Sequence, residues 1–167
     1  YTKYQKTLDA FLFCCYAGMR YSDFVNMKPD NIVEMHQETW LIYKSIKTGT
    51  EVRLPLYLLF SGKGILILNK YQANLQDFFH LRDNSNVNKE LIIIARLAGV
   101  AKKVSFHTAR HTNATLLIYN GVNITTVQKL LGHKSVKTTQ IYTNVMDATI
   151  ISDLEKNHSS VHRKKGK

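Results

Sequence analysis

The stretch of sequence that decides the fold runs from His107 to Tyr142 and reads HTARHTNATLLIYNGVNITTVQKLLGHKSVKTTQIY. Its first part predicts a helix that ends at Gly121. Residues three and four apart are neighbours on a helix, so His107, Arg110 and His111 are expected on one face. That face carries up to three positive groups with no carboxylate between them. Such a cluster indicates an anionic partner, and phosphate is the usual one.

The charge of the chain is strongly positive and unevenly spread. Of its 167 residues, 23 are Lys or Arg and 12 are Asp or Glu, which gives a net charge of +11. Residues 1–80 carry nine basic and seven acidic side chains, whereas residues 81–167 carry fourteen and five. A basic surface of this kind attracts nucleic acid or an anionic membrane. Since no apolar run reaches the ~18 residues of a membrane span, we expect nucleic acid, and no membrane, as the partner.

Length and composition favour a single globular domain. A chain of 167 residues with 44% hydrophobic side chains can bury one core and allows little more. Cys14 and Cys15 are adjacent and poorly placed to link distant segments, which is typical of reduced cysteines in a cytoplasmic protein. No signal peptide is recognised at the start of the sequence. We therefore expect a cytoplasmic location.

The chain opens with a predicted helix. Its apolar stripe is formed by Leu8, Leu12, Cys15 and Met19. Gly18 is expected to end this helix, and Ser22 with Asp23 to cap a short helix over 24–27. Because the sequence starts inside a core-forming helix, we expect it to be part of a longer protein whose upstream domain is absent.

Residues 31–54 predict a small sheet. Strands are expected at 32–35, 40–43 and 52–54, with Gln37-Glu38 as the first turn. Lys47 is expected at the tip of the second hairpin, just before Gly49, which lets the turn form. Taken alone, such a lysine is most simply interpreted as a solvated turn residue.

The remaining elements are mainly helical. One helix is expected from the end of the glycine-rich segment 61–64 to about Tyr71, and a second from the Ser85 cap to Leu97. A third runs from Ile124 to Leu131, with Asn123 as its cap and Gly132 as its end. A short helical piece is expected over 134–142. A tail helix over 147–156 places Ile150, Ile151 and Leu154 on one side. Residues 158–167 predict a basic, disordered tail.

Five motifs together resemble the tyrosine recombinase family, also called the phage integrase family. They are AGMRYSD at 17–23, IKTG at 46–49, HTARHT at 107–112, LGHKS at 131–135 and TTQIYT at 138–143. They follow the order of the family and cover nearly the whole chain. The resemblance implies a mainly α fold with a small three-stranded antiparallel sheet near its start. Residues 1–157 are then the catalytic domain, without the core-binding domain that normally precedes it.

The resemblance assigns a role to six residues. They are the two catalytic arginines Arg20 and Arg110, the hairpin lysine Lys47, the histidines His107 and His133, and the nucleophile Tyr142. The residue types suit phosphoryl chemistry, because guanidinium forks and an imidazole N–H can hold the non-bridging phosphate oxygens. A tyrosine forms a 3′-phosphotyrosine, and a lysine can protonate the leaving 5′-oxygen. No cofactor or metal is implied.

The partners also follow from the resemblance. They are double-stranded DNA at a specific recombination site and three further copies of the chain, in a homo-tetramer that exchanges C-terminal tails. Accessory DNA-bending proteins are further expected partners, and the location is the nucleoid. The residues predicted to bind DNA are Lys102, Lys103, Thr125, Thr126, Lys129 and Lys134.

Three alternatives to this interpretation remain open. The segment GVNITTVQKLLGH looks like a helix-turn-helix of a non-enzymatic DNA-binding module, with Gly121 in the turn. Such a module explains the basic charge but gives Arg20 no role. A type IB topoisomerase uses the same chemistry to swivel one strand. Zinc is a weak competitor, because Arg110 lies beside His107 and His111 with no carboxylate near; we interpret His111 as a packed helix histidine.

Overall fold

The computed structural model describes residues 2–142, and in this range the chain is mainly helical. The α-helices are α1 Gln5–Ala17, α2 Tyr21–Val25, α3 Lys63–Lys70, α4 Leu75–Phe79, α5 Asn84–Leu97, α6 Phe106–Tyr119, α7 Ile124–Leu131 and α8 Val136–Gln140. The strands are β1 Ile32–Met35, β2 Glu38–Lys44 and β3 Glu51–Pro55, paired antiparallel in the order β1-β2-β3. The predicted fold class is confirmed. None of the helices described has the length and apolar character needed to cross a bilayer.

A cluster of buried phenylalanines holds the helices together. Its members are Phe13, Phe24, Phe78, Phe79 and Phe106, with neighbouring ring centroids 5.3–6.1 Å apart, mostly tilted or edge-on. Such aromatic contacts stabilise a core beyond the area they bury. The cluster joins α1, α2, α4 and α6, so it fixes the ends of α1 and α6 relative to each other. Helix α4 was not predicted, although it contributes two of these rings.

Helix α1 ends as predicted at Gly18, which adopts a left-handed conformation with φ +68°. The amide of Asn113 on α6 donates to the carbonyls of Cys15 (3.0 Å) and Tyr16 (2.9 Å) in the last turn of α1. A Cβ on Gly18 would lie 2.7 Å from Asn113 Oδ1. The glycine is therefore required both by its backbone conformation and by the close approach of α6. This junction carries the chain into Arg20.

The sheet is a meander of two hairpins. The β1–β2 turn is His36-Gln37, both with positive φ, rather than the predicted Gln37-Glu38, because Glu38 already pairs with Met35. The β2–β3 turn is closed by hydrogen bonds from the Ser45 amide to Thr50 O (2.9 Å) and from the Gly49 amide to Ser45 O (2.7 Å). The hairpin that contains Lys47 is therefore present as predicted.

Helix caps differ in part from the expectations. Asn123 and Gly132 bound α7 as predicted. Helix α5 begins at Asn84 and is capped by Asp83, whose carboxylate accepts the amide of Asn86 at 3.0 Å; Ser85, the predicted cap, lies in its first turn. Ser22 and Asp23 lie inside α2 and do not cap it.

Other expectations concern helix lengths and the tail. Helix α6 begins at Phe106, one residue before the predicted start, and the piece expected over 134–142 is helical over Val136–Gln140. The predicted tail helix over 147–156 and the basic tail over 158–167 lie outside the described residues.

Candidate active site

Arg20 lies directly before α2, where the chain leaves the Gly18 turn. Its Nη1 atom donates to Ser45 Oγ (3.2 Å) and lies 3.6 Å from the carboxylate of Asp23. The side chain of Arg20 is 15% exposed. The guanidinium is therefore held in a fixed orientation by the hairpin and by its own helix, and it remains accessible from solvent.

Asp23 connects Arg20 to the hairpin turn. Its Oδ1 accepts the amide of Ile46 (2.8 Å), and its Oδ2 accepts the hydroxyl of Ser45 (3.2 Å). The carboxylate is buried, and its hydrogen bond with Ser45 is shielded from water. Sequence reasoning took Asp23 for a helix cap. The signal that could have found it is a carboxylate three residues after Arg20, where the two share a helix face.

Arg110 is one of the largest fully buried side chains among the described residues, with 1% of its surface exposed. Its Nη1 donates to Gly18 O (2.7 Å) and its Nη2 to Leu131 O (2.6 Å). Burial, and secondly the charge of Arg20, lower the pKa of Arg110 to about 10, so the group stays charged at neutral pH. A guanidinium has five N–H donors, of which these two bind carbonyls.

A cleft of about 380 Å³ opens in front of these groups. It is lined by Arg20, Tyr21, Ser22, Lys47, Asn84, Asn88, Ser105 and His107. Lys47 is exposed in the hairpin turn, and His107 is exposed in the first turn of α6. Partial burial of the ring, followed by the neighbouring His111 and then Arg110, lowers the pKa of His107. The cleft thus brings together Arg20, Lys47 and His107, which are far apart in the sequence.

His133 follows the left-handed Gly132 that ends α7. Its Nδ1 lies 2.9 Å from the hydroxyl of Thr139 on α8, and both side chains are buried. Burial, and then the charges of Arg110 and Arg20, lower the pKa of His133 to about 4, so the imidazole is neutral at pH 7. Thr139 was not predicted from the sequence. It lies six residues after His133, and the two side chains come together only because α8 folds back on the end of α7.

Tyr142 packs against α6 through His111. The two ring centroids are 5.3 Å apart, and His111 in turn contacts His107 edge-on at 4.4 Å. Burial raises the pKa of Tyr142, while the charges of Arg110 and Arg20 oppose that rise. The phenol is therefore protonated at neutral pH in this arrangement. His111, interpreted from the sequence as a packed helix histidine, does pack, and the ring it packs against is that of Tyr142.

The six residues predicted to be catalytic therefore lie in one region. Arg20, Lys47 and His107 line the cleft, and His133 and Tyr142 lie within range of the charges of Arg20 and Arg110. The described part of the chain contains no set of three His, Cys, Asp or Glu side chains placed to hold a metal ion. The site combines three cationic side chains with one buried carboxylate, an arrangement suited to a phosphate group.

The residues predicted to bind DNA are all exposed, but no described contact joins them to the cleft. Lys102 and Lys103 border a separate depression of about 410 Å³ on the C-terminal half of α5. Lys134 directly follows His133. On α7, Thr125 is partly engaged, because its hydroxyl donates to the Asn123 cap at 2.7 Å.

The fold is that of tyrosine recombinase catalytic domains. Over 93% of the chain it superposes on XerA recombinase with a TM-score of 0.72 and 25% identity, covering 60% of that protein. It also superposes on lambda integrase (85% of this chain, 53% of the other, TM-score 0.66, 22% identity). The second likeness, at such low identity, concerns the fold alone.

Sequence comparison identifies the family. The model of the phage integrase family matches residues 2–149, so the chain belongs to that family. It is 31% identical to tyrosine recombinase XerC of Rickettsia bellii over 163 residues, which are 92% of this chain and 50% of that protein. It is 50% identical to XerD of Listeria monocytogenes over 145 residues (77% and 46%). The chain spans about half the length of these two relatives.

Proposed function

We propose that this chain is the catalytic part of a site-specific DNA recombinase that cleaves and rejoins strands through a 3′-phosphotyrosine. The observation that carries the proposal is the grouping of Arg20, Lys47 and His107 around one cleft, with Tyr142 within range of the charges of Arg20 and Arg110. The family membership and the recombinase names of the relatives support it. Residues 1–157 form the proposed catalytic domain, followed by the basic tail.

The first role of the site is to hold the scissile phosphate. Arg20 and the remaining N–H donors of Arg110 bind the two non-bridging oxygens, where negative charge builds up in the transition state. His133 is neutral, so it can donate from Nε2 only in the tautomer whose Nδ1 is unprotonated and accepts a hydrogen bond from a neighbour. The Thr139 hydroxyl, 2.9 Å from Nδ1, is placed to donate it. Thr139 thus selects the tautomer that binds the phosphate.

The second step is attack by the phenol. Tyr142 Oη forms the bond to phosphorus, and the bond from phosphorus to the 5′-oxygen breaks. Because burial keeps the phenol protonated, its proton must leave as the bond forms. His107 is the proposed acceptor: its pKa is lowered, so the imidazole is neutral at pH 7 and has a ring nitrogen free of a proton to take this one. The leaving 5′-oxygen takes a proton from Lys47 Nζ.

The proposed partners are double-stranded DNA and further copies of the chain. XerH recombinase has been solved bound to its difH substrate and lambda integrase as a dimer bound to a core site, which supports a DNA partner here. We propose that Lys102, Lys103, Thr126, Lys129 and Lys134 contact the DNA, with Thr125 contributing beyond its cap bond. The same proposal includes assembly into a tetramer with exchanged tails. It also includes accessory DNA-bending proteins as partners and the nucleoid as the place of action.

Strand joining between two duplexes tests the function. The protein is incubated with a pool of nicked duplexes whose sequence around the nick is randomised, together with a second, differently labelled duplex that ends in a 5′-hydroxyl. We expect DNA in which one label is covalently joined to the other. Relaxation of supercoiled DNA without joining would favour a topoisomerase. Tight binding without any cleavage would favour a non-enzymatic helix-turn-helix module.

A further inference from the structure

Lys47 lies between two residues that are each anchored to a different part of the proposed site. On one side, the amide of Ile46 donates to Asp23 Oδ1 at 2.8 Å. On the other side, the hydroxyl of Thr48 donates to the carbonyl of Gly132 at 3.2 Å. The first anchor belongs to the helix of Arg20, and the second directly precedes His133. The backbone of Lys47 is thus fixed from both sides.

The contact between the hairpin and Gly132 is close. Gly132 has φ +63°, and a Cβ on it would lie 2.7 Å from Val52 Cγ2 on β3. The hairpin therefore packs directly on the turn that ends α7. The Thr48 hydroxyl is also in reach of the Thr50 amide, at 3.4 Å. Thr48 is thus oriented within its own turn while it binds the neighbouring element.

We propose that Thr48 is a positioning residue for Lys47: its hydroxyl latches the hairpin turn to Gly132 and so holds the lysine ammonium at the leaving 5′-oxygen. This inference rests on the proposed function, since it concerns the proton that Lys47 delivers. Without the latch, the hydrogen bonds described between the turn and other elements are those of Ile46 and Ser45. Lys47, on a long flexible side chain, then spends less time at the leaving group.

The hairpin offers a matched control. Thr50 lies two residues further along the same turn and is also half-buried. Within the described residues its side-chain hydroxyl has no hydrogen bond. Thr50→Val therefore makes the same chemical change in the same turn without removing the latch. Thr48→Ser keeps the hydroxyl and serves as the conservative variant.

The test compares two leaving groups in single-turnover cleavage of a nicked duplex that the randomised pool selects. One substrate carries the natural 5′-oxygen and the other a 5′-bridging sulfur, which leaves as a thiolate and needs no proton because thiols are far more acidic than alcohols. We expect Thr48→Val to slow cleavage of the oxygen substrate about tenfold, the scale of one lost hydrogen bond. Cleavage of the sulfur substrate should stay within about twofold.

Several outcomes would overturn the inference. Equal slowing of both substrates by Thr48→Val would mean that the residue supports the whole site and not the proton transfer. No slowing, or equal slowing by Thr48→Ser or Thr50→Val, would mean that the hydroxyl has no such role. Melting temperatures of the variants identify any loss of folding. If the wild-type protein cleaves neither substrate, the proposed function itself fails, a result distinct from all of these.

Discussion

The imidazole ring of His111 packs against the phenol ring of Tyr142, with the centroids 5.3 Å apart. The contact ties the proposed nucleophile to α6, the helix that also carries Arg110. Since aromatic pairs contribute about 0.5–1.5 kcal/mol, we expect His111→Ala to slow formation of the DNA adduct by up to about tenfold. His111→Phe keeps a packed ring and should retain most of the rate. Single-turnover kinetics measure both, and a Phe variant as slow as the Ala variant would show that packing is not the role of this residue.

Asp23→Asn tests the connection between Arg20 and the hairpin. The asparagine keeps one carbonyl oxygen for the Ile46 amide. It loses the second carboxylate oxygen, which accepts the Ser45 hydroxyl in the wild type, and it loses the negative charge beside Arg20. We expect a loss of about 1–3 kcal/mol in the free energy of unfolding, typical of a buried group left unsatisfied. Chemical denaturation measures it.

The control for this prediction is Asp30→Asn, because Asp30 is an exposed carboxylate in a turn. If both variants lowered the free energy of unfolding by the same small amount, a structural role for the Asp23 carboxylate would be contradicted.

The lowered pKa of His133, directly after α7, predicts that the stability of the folded chain depends on pH. The pKa of His133 is about 4 in the folded chain, against about 6.5 for an unfolded histidine. Between these values the unfolded state takes up a proton that the folded state does not, so stability falls as pH falls from about 6.5 to about 4. In His133→Gln this loss should be smaller. Urea titrations at pH 7, 6 and 5 measure it, and parallel losses in both proteins would contradict a buried, neutral His133.

The sequence predicts the fold class and the order of most elements, whereas the catalytic roles of the site residues stay predictions. Arg110 and Tyr142 lie in motifs that resemble those of the tyrosine recombinase family, and this resemblance predicts their roles. Helix α4 was missed because its two phenylalanines lie in a short segment without a helical period. The hydrogen bonds that Asp23 and Thr48 make across the hairpin could not be assigned from the sequence, because they exist only once the hairpin docks on two elements distant in the chain. Tertiary contacts, not local propensity, give these two residues their partners.

Removal of metal ions should leave cleavage unchanged. The proposed mechanism neutralises the phosphate with Arg20 and Arg110, and it takes the leaving-group proton from Lys47. Adduct formation in the presence of an excess of EDTA should therefore match that in untreated protein. A strong loss that added Zn²⁺ or Mg²⁺ reverses would contradict a mechanism based on side chains alone.

The central claim is that Tyr142 becomes covalently attached to a 3′-phosphate of DNA. The direct measurement traps the adduct on the selected nicked duplex, from which the short 5′-hydroxyl strand diffuses away, and maps the modified peptide by mass spectrometry. We predict a nucleotide on the peptide that contains Tyr142, a free 5′-hydroxyl on the released strand, and no adduct in Tyr142→Phe, whereas Tyr119→Phe reacts like the wild type. An adduct that persists in Tyr142→Phe, or that maps to another residue, would contradict the account.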